Sequence, residues 1–330
     1  MDVIYADEKR MELGILQNIK KLDVECGTDN DFELSLTKNE SDKQRIKQGF
    51  YIIVPDSEFG GIIEEYQKAT DDDYIYWRGY TWRGFLNQIV TKPAEVGTSI
   101  TDEDANDVIS RVLSIYGLGE MFELPTVPSG VVIKNLTVDR YITPLELFDK
   151  MLSAYGGKLK ISVKQGRPNA AFTIKVEAVK AADHSEDEYT NEQSGITLDI
   201  QISERGINHL VCLGKGELDD RTIVDLYVQE DGSISETPFY TGTAERMGRY
   251  ENTSSETRES LVSDGIKKLK TLQNYKKATL HVENKDLDIG DIVGARDYST
   301  NVAIKKPIIS KILNYNGTTS KIEYEVEGDD

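Results

Sequence analysis

Histidine and cysteine, which supply many metal ligands and catalytic nucleophiles, are scarce in this sequence: it has three histidines and two cysteines in 330 residues. Only His209 and Cys212 lie within four residues of each other. A spacing of three along a strand puts these side chains on opposite faces, so they cannot share a metal ion or form a catalytic pair. Cys26 and Cys212 both lie in apolar, strand-like segments. The sequence therefore predicts no metal site and two buried, reduced thiols.

Long hydrophobic runs are also missing. No apolar stretch approaches the roughly 20 residues that are needed to span a bilayer. Met1–Arg10 already contains Asp2, Asp7 and Glu8, whereas a secretion signal begins with basic and then apolar residues. We expect a product that starts in a cytoplasm and has no membrane anchor.

Basic residues are fewer than acidic residues. The chain has 39 Lys and Arg against 58 Asp and Glu, which gives a net charge of −19, and the acidic residues are spread along its length. Tight binding to phosphate backbones depends on Lys and Arg contacts, so we expect no specific binding of nucleic acid. The acidic balance is typical of a soluble surface, and it would equally suit a surface that faces DNA without holding it.

Catalytic motifs are missing as well. The sequence contains no G-x-x-x-x-G-K-[ST], H-E-x-x-H or G-x-S-x-G. Gly214–Gly216 lacks the third glycine and the helix of a phosphate-binding loop, so it predicts a turn. The acidic run Asn284–Asp291 does not fit an EF-hand, because its glycine comes one position late and position twelve is Ala295. We predict a protein that is not an enzyme, with no catalytic, cofactor-binding or metal-binding residues and no cofactor.

Two alternatives stay open at this point. Glycoside hydrolysis needs only two carboxylates at the right separation, and 58 acidic residues offer many pairs. Trp77, Trp82 and the tyrosines could form a platform on which a sugar stacks, although both tryptophans fall where a core needs large apolar side chains.

Residues 1–80 indicate an antiparallel meander or a small barrel. Short strand-like segments are separated by turn formers such as Gly27–Asn30, Gly60–Gly61 and Asp71–Asp73. After Thr81 the apolar residues take a helical spacing that ends before Pro93. The predicted strands are Val3–Tyr5, Lys21–Cys26, Phe32–Leu36, Tyr51–Val54, Ile62–Lys68 and Tyr74–Arg78.

The middle of the chain has α+β character. Thr101 opens a T-x-x-D capping pattern with Asp104, and the apolar face that follows ends at Gly117. Thr143–Glu146 is a capping box with proline at the first helical position, and it starts a second helix that ends before Gly156. Two strands follow, at Lys158–Val163 and Ala171–Val176.

The last part of the chain returns to β structure. Residues 181–195 are acidic and lack apolar periodicity, so they indicate an exposed linker. A third helix is predicted over Ser255–Leu272, and a strand over Ala278–Val282. Asn316-Gly317 between 308–315 and 318–326 predicts a hairpin with a two-residue type I′ turn.

Arg205–Gly232 is the most informative stretch. It is predicted to form two strands, from Ile207 to Leu213 and from Ile223 to Val228, with an acidic turn between them. Its sequence NHLVCLGKGELDDRTIVDLYVQEDGSI resembles a segment that recurs in tail hub proteins of Gram-positive siphophages and defective prophages. The Trp82–Ile89 pattern and the Asp288–Val293 lead-in to the last hairpin are similar to these proteins as well.

The resemblance implies a baseplate hub of the kind found in T-even and Mu-like contractile tails and in PBSX-like prophages. Such a hub is a homotrimer in which each chain contributes two tube-like β-barrel domains, so that six barrels form a ring. The ring joins the hexameric tail tube to a trimeric spike or fibre, and DNA and the tape-measure protein pass through it. The implied partners are the distal tail or tail-tube protein, the tape-measure protein and the spike or fibre protein. The implied location is the virion tail, assembled in the cytoplasm of the bacterial host.

The expected fold class is α+β and mainly β, with two tube-like antiparallel β-barrel domains and an α+β insertion domain. We predict an N-terminal barrel over 1–95 that is completed by about 196–240, an insertion over 96–195, and a helix with a C-terminal barrel over 241–330. A glycan-binding or receptor-binding tail module is the alternative function, and a glycosidase is a further one.

Overall fold

The computed structural model describes residues 1–166, 170–185, 196–203, 206–216, 220–254, 257–273, 275–283, 286–297 and 302–326. The chain divides into two compact units, the first formed by Met1–Thr197 with Leu280–Glu327 and the second by Leu198–Thr279. Strands outnumber helices in both units, which confirms the predicted α+β class with mainly β content. None of the helices in the described residues is long and apolar enough to cross a membrane.

The secondary structure follows in chain order. The strands are β1 (Ile4–Ala6), β2 (Glu12–Ile15), β3 (Lys21–Cys26), β4 (Asp31–Thr37), β5 (Tyr51–Ile53), β6 (Gly60–Gln67), β7 (Tyr74–Thr81), β8 (Ser99–Asp104), β9 (Phe122–Glu123), β10 (Val132–Thr137), β11 (Gly157–Lys164), β12 (Thr173–Lys180), β13 (Asp183–His184), β14 (Ile196–Ser203), β15 (His209–Leu213), β16 (Ile223–Val228), β17 (Ile234–Ser235), β18 (Met247–Glu251), β19 (Tyr275–Glu283), β20 (Ile292–Asp297), β21 (Val302–Tyr315) and β22 (Ser320–Val326). The α-helices are α1 (Lys38–Gln44), α2 (Trp82–Asn87), α3 (Pro93–Val96), α4 (Ala105–Ile115), α5 (Pro144–Ala154) and α6 (Arg258–Leu272).

The main sheet of the first unit combines strands from both ends of the chain. Its order is β22-β21-β3-β4-β7-β6-β5-β1-β2, and all of these neighbours are antiparallel. Gly27 follows β3 with φ of 120°, and a Cβ at this position would overlap the carbonyl oxygen of Ile309. Glycine therefore lets β3 and β21 approach closely.

No closed barrel is found within the described residues, so the two-barrel part of the prediction is not confirmed. The sheet ends at β2 on one side, and β2 pairs only with β1 in the described strand order. The pairing of β3 with β21 joins strands of the predicted N-terminal barrel (1–95) and C-terminal barrel (241–330) in one sheet. Sequence patterns report alternation along each strand and carry no information on which distant strands pair. The predicted domain boundaries as such stay a prediction.

The α+β section of the first unit packs α4 and α5 onto two small sheets. β8 pairs with β10, and β11 pairs with β12, which has β9 parallel on its other side. The Thr143 capping box is present as predicted: the Glu146 N–H donates to Thr143 Oγ1 at 3.2 Å, and the Thr143 N–H donates to Glu146 Oε2 at 2.8 Å. At α4 the predicted cap Thr101 is wrong, because it lies in β8. Asp104 caps this helix instead and accepts the Asn106 N–H at 2.9 Å.

The second unit places α6 on one face of a four-stranded sheet with the order β17-β16-β15-β18. β15 and β16 are antiparallel, as predicted for 205–232, while β18 runs parallel to β15. Leu210 and Cys212 on β15 and Leu261 and Leu269 on α6 are fully buried. Gly265 allows this packing, since a Cβ there would lie 2.5 Å from Cys212 Sγ.

Three further local features of the structure differ from what the sequence predicts. α1 was not predicted, because Lys38–Gln44 has no apolar periodicity; Thr37 caps it and accepts the Glu40 N–H at 3.3 Å. The two-residue type I′ turn is wrong, since Tyr315 pairs with Ser320 across four residues and only Gly317 of the dipeptide has a positive φ. In the predicted linker, β13 pairs with Ile292 and Val293, and residues 186–195 lie outside the described residues.

Candidate functional site

The outer face of the main sheet carries an acidic depression with a volume of about 490 Å³. Successive side chains alternate between the two faces of a strand. On β3, Leu22 and Val24 therefore enter the core, while Asp23 and Glu25 face outward. The carboxylates that line the depression, called the acidic face below, are Asp23, Glu25, Asp31, Glu33, Glu64 and Glu65; Lys21 and Arg78 are the only cations among the lining residues.

The two cations engage only half of these carboxylates. Arg78 reaches Glu33 at 2.7 Å and Glu65 at 3.9 Å, and Lys21 Nζ lies 3.0 Å from Asp23 Oδ2. The other three carboxylates have no cation partner in the part of the chain that the structure describes.

Burial and neighbouring carboxylates raise the pKa of two acidic groups on this face. Burial and then repulsion from Asp29, Asp23 and Glu33 raise the pKa of Asp31 above its ordinary value. Burial is also the largest cause that raises the pKa of Glu25. A concave surface with this excess of carboxylates repels phosphate backbones and attracts cations.

A buried ion pair connects the main sheet to the α+β section. The Arg83 side chain on α2 is 3% exposed and donates to Glu58 Oε2 at 3.3 Å and to the Leu159 carbonyl at 2.8 Å. Asp149 Oδ1 lies 3.8 Å from the same guanidinium. Glu58 Oε1 and Arg83 Nε are buried without a hydrogen-bond partner among the described atoms. The pair sits where three segments meet, which is a structural role.

A second set of buried charges ties β11 to the C-terminal strands. Lys158 Nζ donates to both oxygens of Asp291, at 2.7 and 2.8 Å, and to Asp288 Oδ2 at 3.1 Å. Lys311 on β21 donates to the other Asp288 oxygen at 3.2 Å. Burial alone would raise the pKa of Asp288, but Lys311 and Lys158 hold it below its ordinary value of 3.8. Of the residues weighed as calcium ligands in 284–291, Asp288 and Asp291 are therefore engaged by lysines, and Asn284 lies outside the described residues.

The two tryptophans considered for sugar binding lie in the core. Trp77 is 6% exposed and Trp82 is 1% exposed. Trp77 Nε1 donates to Ser41 Oγ at 3.1 Å, and the Trp82 ring lies beside Tyr51 and Phe172. Their predicted place in the core is confirmed.

His209 and Cys212 face opposite sides of β15, as their spacing predicts. Cys212 packs towards α6, whereas His209 stacks on Tyr227 at 4.1 Å between ring centroids. His209 Nδ1 lies 2.7 Å from Glu245 and Nε2 lies 2.8 Å from Asp225. Each ring nitrogen of His209 therefore lies within hydrogen-bonding distance of a different carboxylate.

Both cysteines are buried, and they form no disulfide. Burial raises the pKa of Cys212 to about 11, and it raises the pKa of Cys26 well above 9.0. Across the residues with described positions, no group of three or more His, Cys, Asp or Glu side chains is arranged to hold a metal ion.

Sequence reasoning missed Arg83 and Lys158 as buried cations. A signal was present for Arg83, which lies inside the apolar run Trp82–Leu86 and is therefore carried towards the core with its neighbours. Lys158 has no comparable signal, because its partners Asp288 and Asp291 lie about 130 residues further along the chain.

Comparisons with known proteins address the fold. No protein-family model and no curated protein matches the chain. Among solved structures, a chain of the p2 virion baseplate in its activated conformation has 9% identity and a TM-score of 0.51, with 100% of this chain and 99% of that chain covered. The 43 kDa tail protein of prophage MuSo2 from Shewanella oneidensis has 12% identity and a TM-score of 0.48, with 99% and 98% covered. The prophage tail protein gp18 from Listeria monocytogenes EGD-e has 14% identity and a TM-score of 0.47, with 98% and 94% covered. The match to the p2 baseplate chain shows that this chain has a fold found in a virion baseplate, as the resemblance in its sequence predicts.

Proposed function

We propose that this chain is a structural hub component of a phage or prophage tail baseplate. The observation that carries the proposal is the fold shared with a p2 virion baseplate chain over 100% of this chain and 99% of the other. A match that covers both chains from end to end includes residues of both units, which a small recurrent domain would not explain. Such a protein functions by binding other subunits. We assign no catalytic residue.

In finer detail, we propose a homotrimer that joins the hexameric tail tube to a trimeric spike or fibre. The acidic face supports this role, because a passage lined by carboxylates lets DNA through without holding it. The proposed partners are the distal tail or tail-tube protein, the tape-measure protein and the spike or fibre protein, and the proposed location is the virion tail.

Electron cryomicroscopy of tail particles tests the hub role. Particles would be purified from cells whose genome carries this gene, and the chain would be identified in them by peptide mass spectrometry. We expect three copies in a ring between tube and spike, with the acidic face towards the axis. Absence of the chain from purified tails, or a position outside the axial ring, would contradict the proposal.

The role of the acidic face is tested separately with the purified ring. The variant Asp31→Lys/Glu64→Lys/Glu65→Lys reverses three exposed carboxylates of the face. The control Glu120→Lys/Glu123→Lys/Glu230→Lys makes the same change in charge at exposed positions elsewhere. We expect only the first variant to retain double-stranded DNA in a gel-shift assay at low salt. Equal retention by both variants would show that the face does not line the passage.

The alternative of a glycan-binding or receptor-binding module predicts exposed aromatic residues in a groove. Trp77 and Trp82 are buried, so they offer no stacking platform, and Tyr66 is an exposed aromatic side chain in the depression that Trp77 lines. A screen of cell-wall saccharides against the purified chain and its Tyr66→Ala variant decides this alternative. Saturable binding that the variant loses would favour it over the hub.

A further inference from the structure

A second depression lies on the other side of the main sheet from the acidic face. Trp77 and Arg78 are neighbours on β7 and therefore point to opposite faces, and Trp77 lines this second depression, which has a volume of about 320 Å³. Three cationic side chains line it as well, from Arg45, Lys47 and Lys68. We call this surface the cationic depression; it is defined by these three residues with Tyr66 and Trp77.

The floor of the cationic depression is aromatic and rests on a buried, hydrogen-bonded tryptophan. The Tyr66 ring lies 5.3 Å from the Trp77 ring, and Trp77 is fixed by its hydrogen bond to Ser41. Tyr66 is nevertheless 52% exposed. An exposed tyrosine on a fixed base is the kind of side chain that contributes strongly to protein interfaces, because little conformational entropy is lost when a partner covers it.

The cations around Tyr66 have no partners of their own. Arg45, Lys47 and Lys68 are exposed, and none makes an ion pair or a side-chain hydrogen bond within the described ranges. Asp42 is the single carboxylate in the lining, so cations exceed carboxylates by two. On the acidic face the opposite holds, since both cations there are paired.

The end of α1 places one of these cations. Arg45 ends the helix with φ of 53°, in the left-handed region, and its N–H donates to the carbonyls of Asp42 and Ser41. This conformation is a common way to end a helix. It puts the Arg45 side chain at the rim of the depression.

A partner that binds the cationic depression must present carboxylates. A nucleic acid strand is a poor fit, because a site with three cations is surrounded by a chain of net charge −19, with Glu64 and Glu65 on the same strand. A folded acidic protein can offer two or three carboxylates locally and keep its remaining charge away from the site. The chain itself is such a protein, with 58 acidic residues.

We propose that the cationic depression binds carboxylates on a second copy of this chain. The proposal rests on the homotrimer of the proposed function and identifies one of its contact surfaces. A cyclic trimer needs a heterologous interface, in which a patch on each copy meets a different and complementary patch on the next. An isolated cationic and aromatic surface on an acidic chain meets this requirement.

Sedimentation velocity of the full chain over a range of concentrations tests the proposal. The variant Arg45→Glu/Lys47→Glu/Lys68→Glu should weaken self-association about tenfold or more, because attraction becomes repulsion at three contacts. The control Lys9→Glu/Lys160→Glu/Lys164→Glu adds the same negative charge at exposed positions elsewhere, so it accounts for general repulsion. Arg45→Lys/Lys47→Arg/Lys68→Arg keeps the charges and should associate like the unchanged chain, and Tyr66→Ala should weaken association by itself.

Carbodiimide crosslinking identifies the carboxylates on the other copy. Copies labelled with nitrogen-14 and nitrogen-15 are mixed, and mixed-isotope crosslinks from Lys47 or Lys68 to Asp or Glu of the second copy are expected. The proposal is overturned if the unchanged chain stays monomeric at all concentrations, or if the glutamate variant associates like its control. Binding of single-stranded DNA or of a saccharide at Tyr66 without self-association would overturn it too.

The two proposals fail in different ways. If the chain forms the axial ring of a tail and the glutamate variant enters that ring normally, only the assignment of this surface is wrong. If the chain associates through the cationic depression but is absent from purified tails, the hub role is wrong.

Discussion

Lys158 ties β11 to the segment that carries Asp288 and Asp291, so its replacement should be one of the most damaging single changes in the chain. Its ammonium group contacts both oxygens of Asp291 and one oxygen of Asp288. Asp291 is 2% exposed, so Lys158→Met would leave a buried carboxylate without its cation. Removing one member of a buried pair costs about 3–5 kcal/mol. We expect a loss of that size in the free energy of unfolding of the first unit.

The assay is urea unfolding followed by tryptophan fluorescence. The chain has only two tryptophans, Trp77 and Trp82, and both are buried in the first unit, so the signal reports on that unit alone. Lys160→Met is the matched control, because Lys160 lies two residues further along β11 and is exposed. A surface change of this kind should alter stability by no more than about 0.5 kcal/mol.

A double-mutant cycle shows whether the loss comes from the ion pair. In Lys158→Met/Asp291→Asn the buried charge is also removed, so the double variant should lose less stability than the sum of the single variants, with a coupling of about 0.5–3 kcal/mol. Lys158→Arg keeps the charge and reports on packing alone. The reasoning is refuted if Lys158→Met costs no more than Lys160→Met, or if the cycle shows no coupling.

Three further predictions concern titration and side-chain contacts. The lysines that pair with Asp288 hold its pKa in the folded chain below 3.8, so the stability that this pairing adds is complete above pH 3.8 and is lost as the pH falls through the folded pKa. Asp288→Asn should therefore reduce the difference in unfolding free energy between pH 5 and pH 3. An unchanged difference would contradict this explanation. Burial raises the pKa of Cys26 and Cys212, so neither thiol should react with a disulfide reagent at pH 8 until concentrated urea is added. Labelling of the folded chain would show that these thiols are accessible to the reagent. His209→Gln cannot place a ring nitrogen beside each of the two carboxylates. It should cost about 1.5–3 kcal/mol in the second unit, seen as faster amide exchange in β15 and β16 with no change in β7.

Much of the local structure is predictable because local chemistry decides it. The alternation of Leu22, Val24 and Cys26 with charged residues gives β3 with the bounds that the structure shows. The Thr143–Glu146 capping box starts α5 where predicted, since both of its hydrogen bonds are made within one turn. α1 could have been found by the same signal, because Thr37-Lys38-Asn39-Glu40 has the spacing of a capping box although it lacks an apolar stripe.

The candidate sites are less predictable, because they depend on pairing between distant strands. Alternation shows that Asp23, Glu25 and Glu33 face outward on their own strands. It does not show that Glu64 and Glu65 join them, since a register shift in β6 places these residues beside Arg78. Tyr66 likewise meets Trp77 only through the register of β6 and β7.

The pairing of β3 with β21 has a consequence for synthesis of the protein. Glu25 and Ser310 lie side by side although 285 positions separate them in the sequence. While the ribosome makes the chain, the early strands emerge with one edge of β3 open, and that edge is covered only when the last tenth of the polypeptide arrives. Exposed strand edges recruit other chains, so the unfinished product is the stage most prone to aggregate and most dependent on chaperones.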